Sequence, residues 1–311
     1  MGASVVEQNW TGRDPHPWTR LPREQRDLNA EFIVYEHKSR HQTGDGDLFF
    51  MEMYGDGLFT IDREGWGPHH SSIGSRPEMA EVDTALATEF CETLCRRFLS
   101  DGRSKHPQPP LHAVPSAFKP YIFVPLQLYN DDTIVYDSPY AIREFVGLVC
   151  RWAVRSRRSI VFKPHPNCDD ETLLRTIDDY AERWGWLFRS SANVHNLIAE
   201  ADGIVLINSG VGFESLIHGK PVVTFGNCDY KWFTFRGHGA NLDAASDYFD
   251  SYTAAQRREG YRFAYFYHRR HAIDLDYEGM DGAARRVREC LETLIDDRGS
   301  KPANPGRGLE R

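Results

Sequence analysis

Three short stretches of this chain carry side chains that could hold an anion or supply a reactive carboxylate. The first is Lys163-Pro164-His165-Pro166, which directly follows the apolar run Ser159–Phe162. The two prolines restrict the backbone around His165 and hold its imidazole in place, and Lys163 adds a cation beside it. Read alone, these four residues suit a structural turn with a satisfied histidine equally well. The second stretch is Asn208-Ser209-Gly210-Val211-Gly212-Phe213-Glu214, after the apolar run Gly203–Ile207. A strand, a Gly/Ser turn and a helix start would aim backbone N–H groups and the Ser209 hydroxyl at a phosphate, with Gly210 and Gly212 allowing close approach. It is neither the GxGxxG dinucleotide pattern nor a Walker loop. Asn208 or Ser209 also suits the helix N-cap, a role compatible with binding. Glu214, one turn into the helix, could accept hydrogen bonds from a ribose or simply favour the helix dipole.

The third stretch is Gln127 followed by Asn130-Asp131-Asp132-Thr133. Adjacent carboxylates on a loop can serve as nucleophile, base or metal ligands, whereas an Asx-rich turn facing water is the structural alternative. His218-Gly219-Lys220-Pro221 reads mainly as a helix stop. In Asp229–Gly239, Lys231, Arg236 and His238 alternate with Tyr230, Trp232, Phe233 and Phe235, which suits either a stacking surface or an aromatic core edge.

These stretches need elements to position them. From Tyr121 the chain alternates apolar strands with helices: strands at Tyr121–Leu126, Ser159–Phe162, Trp186–Arg189, Gly203–Ile207 and Pro221–Phe225, and helices at Tyr140–Arg155, Glu171–Trp184, Val194–Ala201 and Gly212–His218. That rhythm predicts a parallel sheet wrapped by helices, with ligands at the carboxyl ends of its strands. All three stretches would then share one edge. Upstream, residues 1–29 read as a polar arm broken by Pro15, Pro17 and Pro22; strands are expected at Glu31–Tyr35 and Leu58–Asp62, and a helix at Glu78–Leu99. Asp101–Pro115 is a proline-rich linker, 279–296 a last helix, and 297–311 an unstructured tail. The expected division is an arm (1–29), a reduced lobe with its linker (30–119) and a Rossmann-like nucleotide lobe (120–296).

The composition bounds the function. The 311 residues are 41% hydrophobic and 26% charged, as in an ordinary globular chain, and 37 basic against 45 acidic residues give a net charge of −8. Such a balance does not steer the chain toward nucleic acid or anionic lipid, so an anionic ligand would need a local cleft. The six cysteines show neither CxxC spacing nor a zinc-finger pattern, and no signal peptide or membrane span is apparent. A reduced, cytoplasmic protein is the expectation.

Taken in order, FVPLQLYNDDTI, KPHP and NSGVGFESLIHGKPVVTFG resemble the capsule polysaccharide biosynthesis family, which includes bacterial Kdo (3-deoxy-manno-octulosonate) transferases. The resemblance covers about residues 120–228 and extends weakly to Leu58–Ser72. It implies an α/β, GT-B-like glycosyltransferase with two Rossmann-like lobes, a CMP-linked donor sugar and no cofactor besides that donor. It implies that Lys163, His165, Asn208, Ser209 and Gly210 hold the nucleotide, with Glu214 on the ribose. Gln127 would position substrate, and Asp132, ahead of Asp131, would be the nucleophile of a retaining transfer onto a surface glycan or glycolipid. About seventy residues remain for the first lobe, too few for a full Rossmann half, so that lobe is reduced, completed by a partner, or part of a longer protein. Resemblance to CDP-glycerol or CDP-ribitol transferases is weaker, because those enzymes usually show Asp-Tyr-Ser-Ser where this chain has Ile207-Asn208-Ser209-Gly210. A non-catalytic capsule assembly or export protein is the remaining alternative; a place in such a complex, or at the inner face of the membrane, stays open.

Overall fold

The computed structural model describes residues 34–44, 46–239 and 241–300. The N-terminal arm therefore lies outside the described residues. Two sheets organise the rest. The larger has six strands, β4 (Tyr121–Pro125), β5 (Ser159–Lys163), β6 (Leu187–Arg189), β7 (Gly203–Leu206), β8 (Val222–Thr224) and β9 (Phe235–Arg236), in the order β6-β5-β4-β7-β8-β9 and parallel throughout. Its core strands are apolar on both faces because helices cover both. In β4, Tyr121 and Phe123 join one hydrophobic cluster with Leu197, Phe213 and Phe263, while Ile122 and Val124 join the other with Phe145, Val146 and Leu173. The period of two divides a continuous apolar run between two layers.

The layers follow from the helical stripes. On one face lie α2 (Thr84–Asp101), α6 (Val194–Glu200), α7 (Val211–Ile217) and α9 (Ala254–Phe266); on the other lie α4 (Ile142–Ser156), α5 (Glu171–Arg183) and α8 (Leu242–Asp250). The short α3 (Asp132–Asp137) begins where a loop was expected. Helix α2 starts six residues later than its apolar spacing suggested, because the Asp83 carboxylate caps the N–H groups of Ala85 and Leu86. The left-handed Gly102 (φ 66°) ends it.

The smaller sheet has the order β1-β2-β3-β10, from β1 (Val34–Glu36), β2 (Leu48–Glu52), β3 (Leu58–Asp62) and β10 (Ile273–Asp274), with the one-turn helix α1 (Arg40–Thr43) between its first two strands. Strand β10 pairs antiparallel with β3, and α10 (Leu275–Ser300) follows it. The reduced first lobe is thus assembled from two distant stretches of chain, not from residues 30–119 alone. The last helix also runs through 297–300, where the tail was expected to start. No proline interrupts the chain there before Pro302. Among the described residues, no helix is long and apolar enough to cross a membrane, and all six cysteines are free thiols.

Close packing against the sheet is testable at Gly203. A Cβ there would lie 2.4 and 2.5 Å from two ring carbons of Phe249, whereas nothing lies within 4 Å of one at Gly185. Gly203→Ala is expected to lower stability by about 1–3 kcal/mol, seen as a lower urea midpoint with an unchanged m-value. Gly185→Ala should leave the midpoint within experimental error.

Candidate functional site

The parallel pairing brings the three chemical stretches to one edge, as the strand-end rule requires. His165 follows β5 and Ser209 follows β7, on either side of β4, so their strands are two spacings or about 10 Å apart. The backbone N–H of Asn167 donates to His165 Nδ1 at 3.1 Å, which leaves the ring proton on Nε2. Burial, and then the neighbouring His106, hold this imidazole below its usual basicity. His165 is therefore a neutral donor at pH 7, not a cation.

The charge of Lys163 acts on this imidazole, but its ammonium is engaged elsewhere. Its buried ammonium donates to the carbonyls of Ala192 (2.9 Å) and Ser191 (3.4 Å), tying β5 to the loop before α6, and burial lowers its pKa. The expected Lys163–anion contact is thus corrected: two of the three ammonium N–H donors go to these carbonyls, so the side chain serves the frame first. Lys105 brings a second cation from the linker, and its charge acts on the adjoining His106. Its Nζ donates to the Glu52 carbonyl at 2.5 Å, and the charge of Asp131 acts on it. Beside it, the His106 ring meets His165 edge to face, with centroids 5.0 Å apart.

Two histidines and an asparagine hold this linker. Asn193 donates to the carbonyls of Gly102 and Pro109 at 2.8 and 2.9 Å. His195 Nε2 lies 2.8 Å from the Arg103 carbonyl and must donate to it; His195 Nδ1 then accepts from His218 Nε2 at 3.2 Å, and His218 Nδ1 accepts from the Cys95 thiol at 3.2 Å. Every proton in the chain is assigned by the carbonyl at its end. Burial lowers the pKa values of His195 and His218 to about 4 and about 3, so both are neutral as the relay needs. The result places Ser104 over Glu214, to which its hydroxyl donates at 2.6 Å.

The Gly/Ser turn differs from expectation in one respect. The N–H of Val211 is bonded to Ser209 Oγ, those of Gly212 and Phe213 to the carbonyls of Ser209 and Gly210, and that of Glu214 to Gly210. These donors serve the turn itself, because α7 has only seven residues and closes tightly. Ser209 Oγ accepts there and keeps its hydroxyl proton to donate. Tyr54 packs over Gly210, where a Cβ would meet the ring at 3.0 Å. Asn208 and Gln127 are internal as well. Asn208 Nδ2 donates to the Thr133 carbonyl at 2.8 Å; Gln127 bridges Thr133 Oγ1 (2.7 Å) and the Asn208 N–H (3.4 Å). Both brace the β4 and β7 loops against each other.

Of the acidic pair, Asp131 caps α3, accepting from the Thr133 N–H and hydroxyl at 2.9 and 2.7 Å. Asp132 is 8% exposed; its Oδ2 accepts from Lys38 at 2.8 Å and Gln42 at 3.2 Å, and its buried Oδ1 has no partner among the described residues. Lys38 and Gln42 belong to the small lobe, so Asp132 faces the boundary between the lobes. Nearby, His69 Nε2 lies 2.8 Å from Asp137, and the rings of His69 and His41 are 3.9 Å apart. Sequence reasoning missed Lys38, His41, His69, Lys105 and His106. Only Ser104-Lys105-His106 left a signal, polar residues within a run of prolines, and the linker assignment masked it.

Glu214 lines a cavity of about 330 Å³ walled by Tyr54, Phe90, Phe98, Phe213 and Tyr277. Five carboxylates (Asp56, Asp101, Glu214, Asp274, Asp276) face three guanidinium groups (Arg97, Arg103, Arg269) in its lining. Such walls suit a neutral, hydroxyl-bearing ring better than an anion.

With this geometry in place, comparison with known proteins is informative. A family model described as capsule polysaccharide biosynthesis protein matches residues 105–272, more than half of the chain. The chain belongs to that family. It is 31% identical over 129 residues to the capsule polysaccharide export protein KpsS of Escherichia coli, covering 38% of this chain and 33% of that protein. It is 34% identical over 116 residues to the capsule polysaccharide modification protein LipA of Neisseria meningitidis, covering 36% and 16%. The matches thus span a third or less of these relatives. Among solved structures, the Thermosulfurimonas dismutans KpsC beta Kdo 2,7 transferase aligns at 18% identity and a TM-score of 0.41, covering 79% of this chain and 78% of that one. Anabaena HepE in complex with UDP-glucose aligns at 10% identity and a TM-score of 0.39, covering 58% and 50%.

Within this family member Glu214 gives a pH signature. Burial raises its pKa from 4.5 to about 7, against the opposing Ser104 hydrogen bond. A raised carboxyl pKa means that the fold favours the protonated form: its stabilisation is complete below pH 4.5 and lost as pH rises through 7. The contribution of Glu214 to stability should therefore fall by roughly 3 kcal/mol across that window. Glu214→Gln should flatten the pH profile and be relatively more stable than wild type above pH 7 in urea titrations. Parallel profiles would show that Glu214 titrates normally.

Proposed function

We propose that this protein is a retaining glycosyltransferase that moves a sugar, with Kdo from CMP-Kdo as the leading donor, onto a bacterial surface polysaccharide or glycolipid. The observation that carries this reading is Asp132. Its carboxylate stands at the carboxyl edge of the parallel sheet, with Oδ2 held by Lys38 and Gln42 and Oδ1 without a partner among the described residues. A carboxylate fixed through one oxygen keeps the other for nucleophilic attack, and because Oδ1 is buried at the lobe boundary the donor reaches it when the lobes part. Oδ1 attacks the anomeric carbon, and the carbon–oxygen bond to the CMP phosphate breaks, its electron pair leaving with CMP. The acceptor hydroxyl then attacks the same carbon, the Asp132 carboxylate departs, and the hydroxyl proton passes to a neighbouring imidazole. His41 suits that role: burial and His69 lower its basicity, and the charges of Asp137 and Asp132 act on it. Two inversions give net retention.

The donor phosphate would meet His165 Nε2–H and the Ser209 hydroxyl, with Lys105 as the nearby cation. Glu214 and the neutral-ring cavity would take the ribose. The choice of CMP and Kdo rests on the resemblance in the KPHP and NSG stretches, not on the geometry. A non-catalytic role in capsule assembly or export is the second reading; the burial of Asp132 Oδ1, which shields it from a donor in this arrangement, favours it.

Two measurements separate these readings. CMP at a hundredfold excess over its Kd should stabilise the protein by about 2.7 kcal/mol, and His165→Ala should remove the effect. Equal stabilisation by UDP would overturn the cytidine assignment. Asp132→Asn should retain CMP binding while losing transfer by at least about a thousandfold, together with any glycosyl adduct seen by intact-protein mass spectrometry. Undiminished transfer would eliminate Asp132 as nucleophile, and no transfer by the wild type from a panel of CMP- and UDP-sugars would favour the export reading.

A further inference from the structure

A second cavity, of about 270 Å³, lies between β3, β10 and α10, and shares no lining residue with the one beneath Glu214. Ser72, His70, His271, Arg270 and Arg286 line it together with apolar side chains, and no carboxylate does. Its polar groups form a defined network. The Ser72 N–H donates to His70 Nδ1 at 3.2 Å, so that nitrogen accepts. The Ser72 hydroxyl lies 3.2 Å from the same nitrogen and 3.1 Å from His271 Nδ1. With His70 Nδ1 already occupied, the hydroxyl proton goes to His271 Nδ1, which places the His271 ring proton on Nε2. Among the described residues that buried Nε2 has no partner, in a side chain only 9% exposed. Other buried donors also lack partners, the indole N–H groups of Trp152 and Trp186 among them, but this one belongs to a residue that lines a cavity, where a ligand atom can satisfy it.

The charges around it agree. Asp62, the nearest acid, is 3.7 Å from His70 Nδ1 and is occupied by the hydroxyl and N–H of Ser71 and the N–H groups of Glu64 and Gly65. Arg286 is anchored by Glu278 and by the carbonyls of Arg270, His271 and Ala272, which fixes its guanidinium at the cavity wall. Arg270 stands at the surface, 3.2 Å from Glu81. A group entering the cavity thus meets an N–H donor and two guanidinium groups whose glutamate partners, Glu278 and Glu81, stand outside the lining; among the described residues no acid lines it. We propose that this cavity binds a single oxyanion group, a carboxylate or a phosphate, carried by a small molecule or a sugar residue. Its volume falls below the roughly 300–1,000 Å³ range of drug-sized ligand sites, so a whole nucleotide is not its ligand. Nothing in this site depends on the donor reading of the cleft.

Titration calorimetry of the full chain with inorganic phosphate and, separately, with acetate tests the proposal and tells the two chemistries apart. Saturable binding of at least one anion is expected. It should persist in His165→Ala, which alters only the cleft, and weaken about tenfold or more in His271→Phe. Because His271 is packed in the lobe and its replacement could unfold it, Arg270→Gln at the surface provides the second variant. That change should weaken binding several-fold without shifting the melting temperature of the ligand-free protein. Absence of saturable binding by either anion, affinity unchanged in Arg270→Gln, or binding abolished by His165→Ala would each overturn the site.

Discussion

Strand β4 is hydrogen-bonded on both sides, and the position of every group at the carboxyl edge depends on that pairing. Tyr121–Pro125 runs in register with Ser159–Lys163, while Ile122 and Phe123 meet Gly203 and Ile204. The last residue, Pro125, has no N–H to offer, and it falls where the β7 ladder has already ended. The chain can therefore leave the sheet there and turn into Gln127 and the Asp131–Asp132 loop. A slip of one residue would exchange Phe123 and Val124 between the two hydrophobic layers, putting a ring where the packing holds a smaller side chain and leaving a gap on the other face.

Given that frame, buried polar groups do the positioning. Asn208 and Gln127 tie the β4 and β7 loops together, Lys163 ties β5 to the loop before α6, and Asn193 with the Cys95–His218–His195 relay holds the linker across the edge. Each of these side chains could equally have been read as facing a ligand. Low dielectric surroundings make an unmet donor or acceptor costly, so the first demand on a buried polar side chain is an internal partner. Among the described residues several buried polar atoms lack a partner, the indole N–H groups of Trp152 and Trp186 and Asn208 Oδ1 included; Asp132 Oδ1 and His271 Nε2 stand out because one lies at the lobe boundary and the other belongs to a residue lining a cavity.

The small lobe shows how a chain with few residues to spare completes a layer. Residues 34–62 provide three strands, and the fourth arrives from Ile273–Asp274 after the whole parallel sheet has been built. This return also brings His268, Arg269, Arg286 and His271 against residues 54–98 and 61–72, and so creates both cavities at once. The kink at Gly279 (φ 66°, ψ 177°) separates the segment that follows β10 from the rest of α10.

The sequence by itself determined the parallel sheet and the sharing of one edge by the three chemical stretches, because continuous apolar runs of four or five residues alternating with amphipathic helices have few other ways to bury themselves. It left α9 unread: the charged run Arg257-Arg258-Glu259 with Arg262 interrupts the apolar spacing of Ala254–Phe266 and only Gly260, Phe263 and Ala264 are buried, although the Thr253–Gln256 capping box marks its start. Only the tertiary structure decided which polar residues face the crevice and which serve the frame. Lys163 and Lys105, or Asp131 and Asp132, are alike in type and neighbourhood along the chain; what distinguishes them is the carbonyl, N–H or ammonium that a distant segment brings within about 3 Å, and no local pattern encodes that approach.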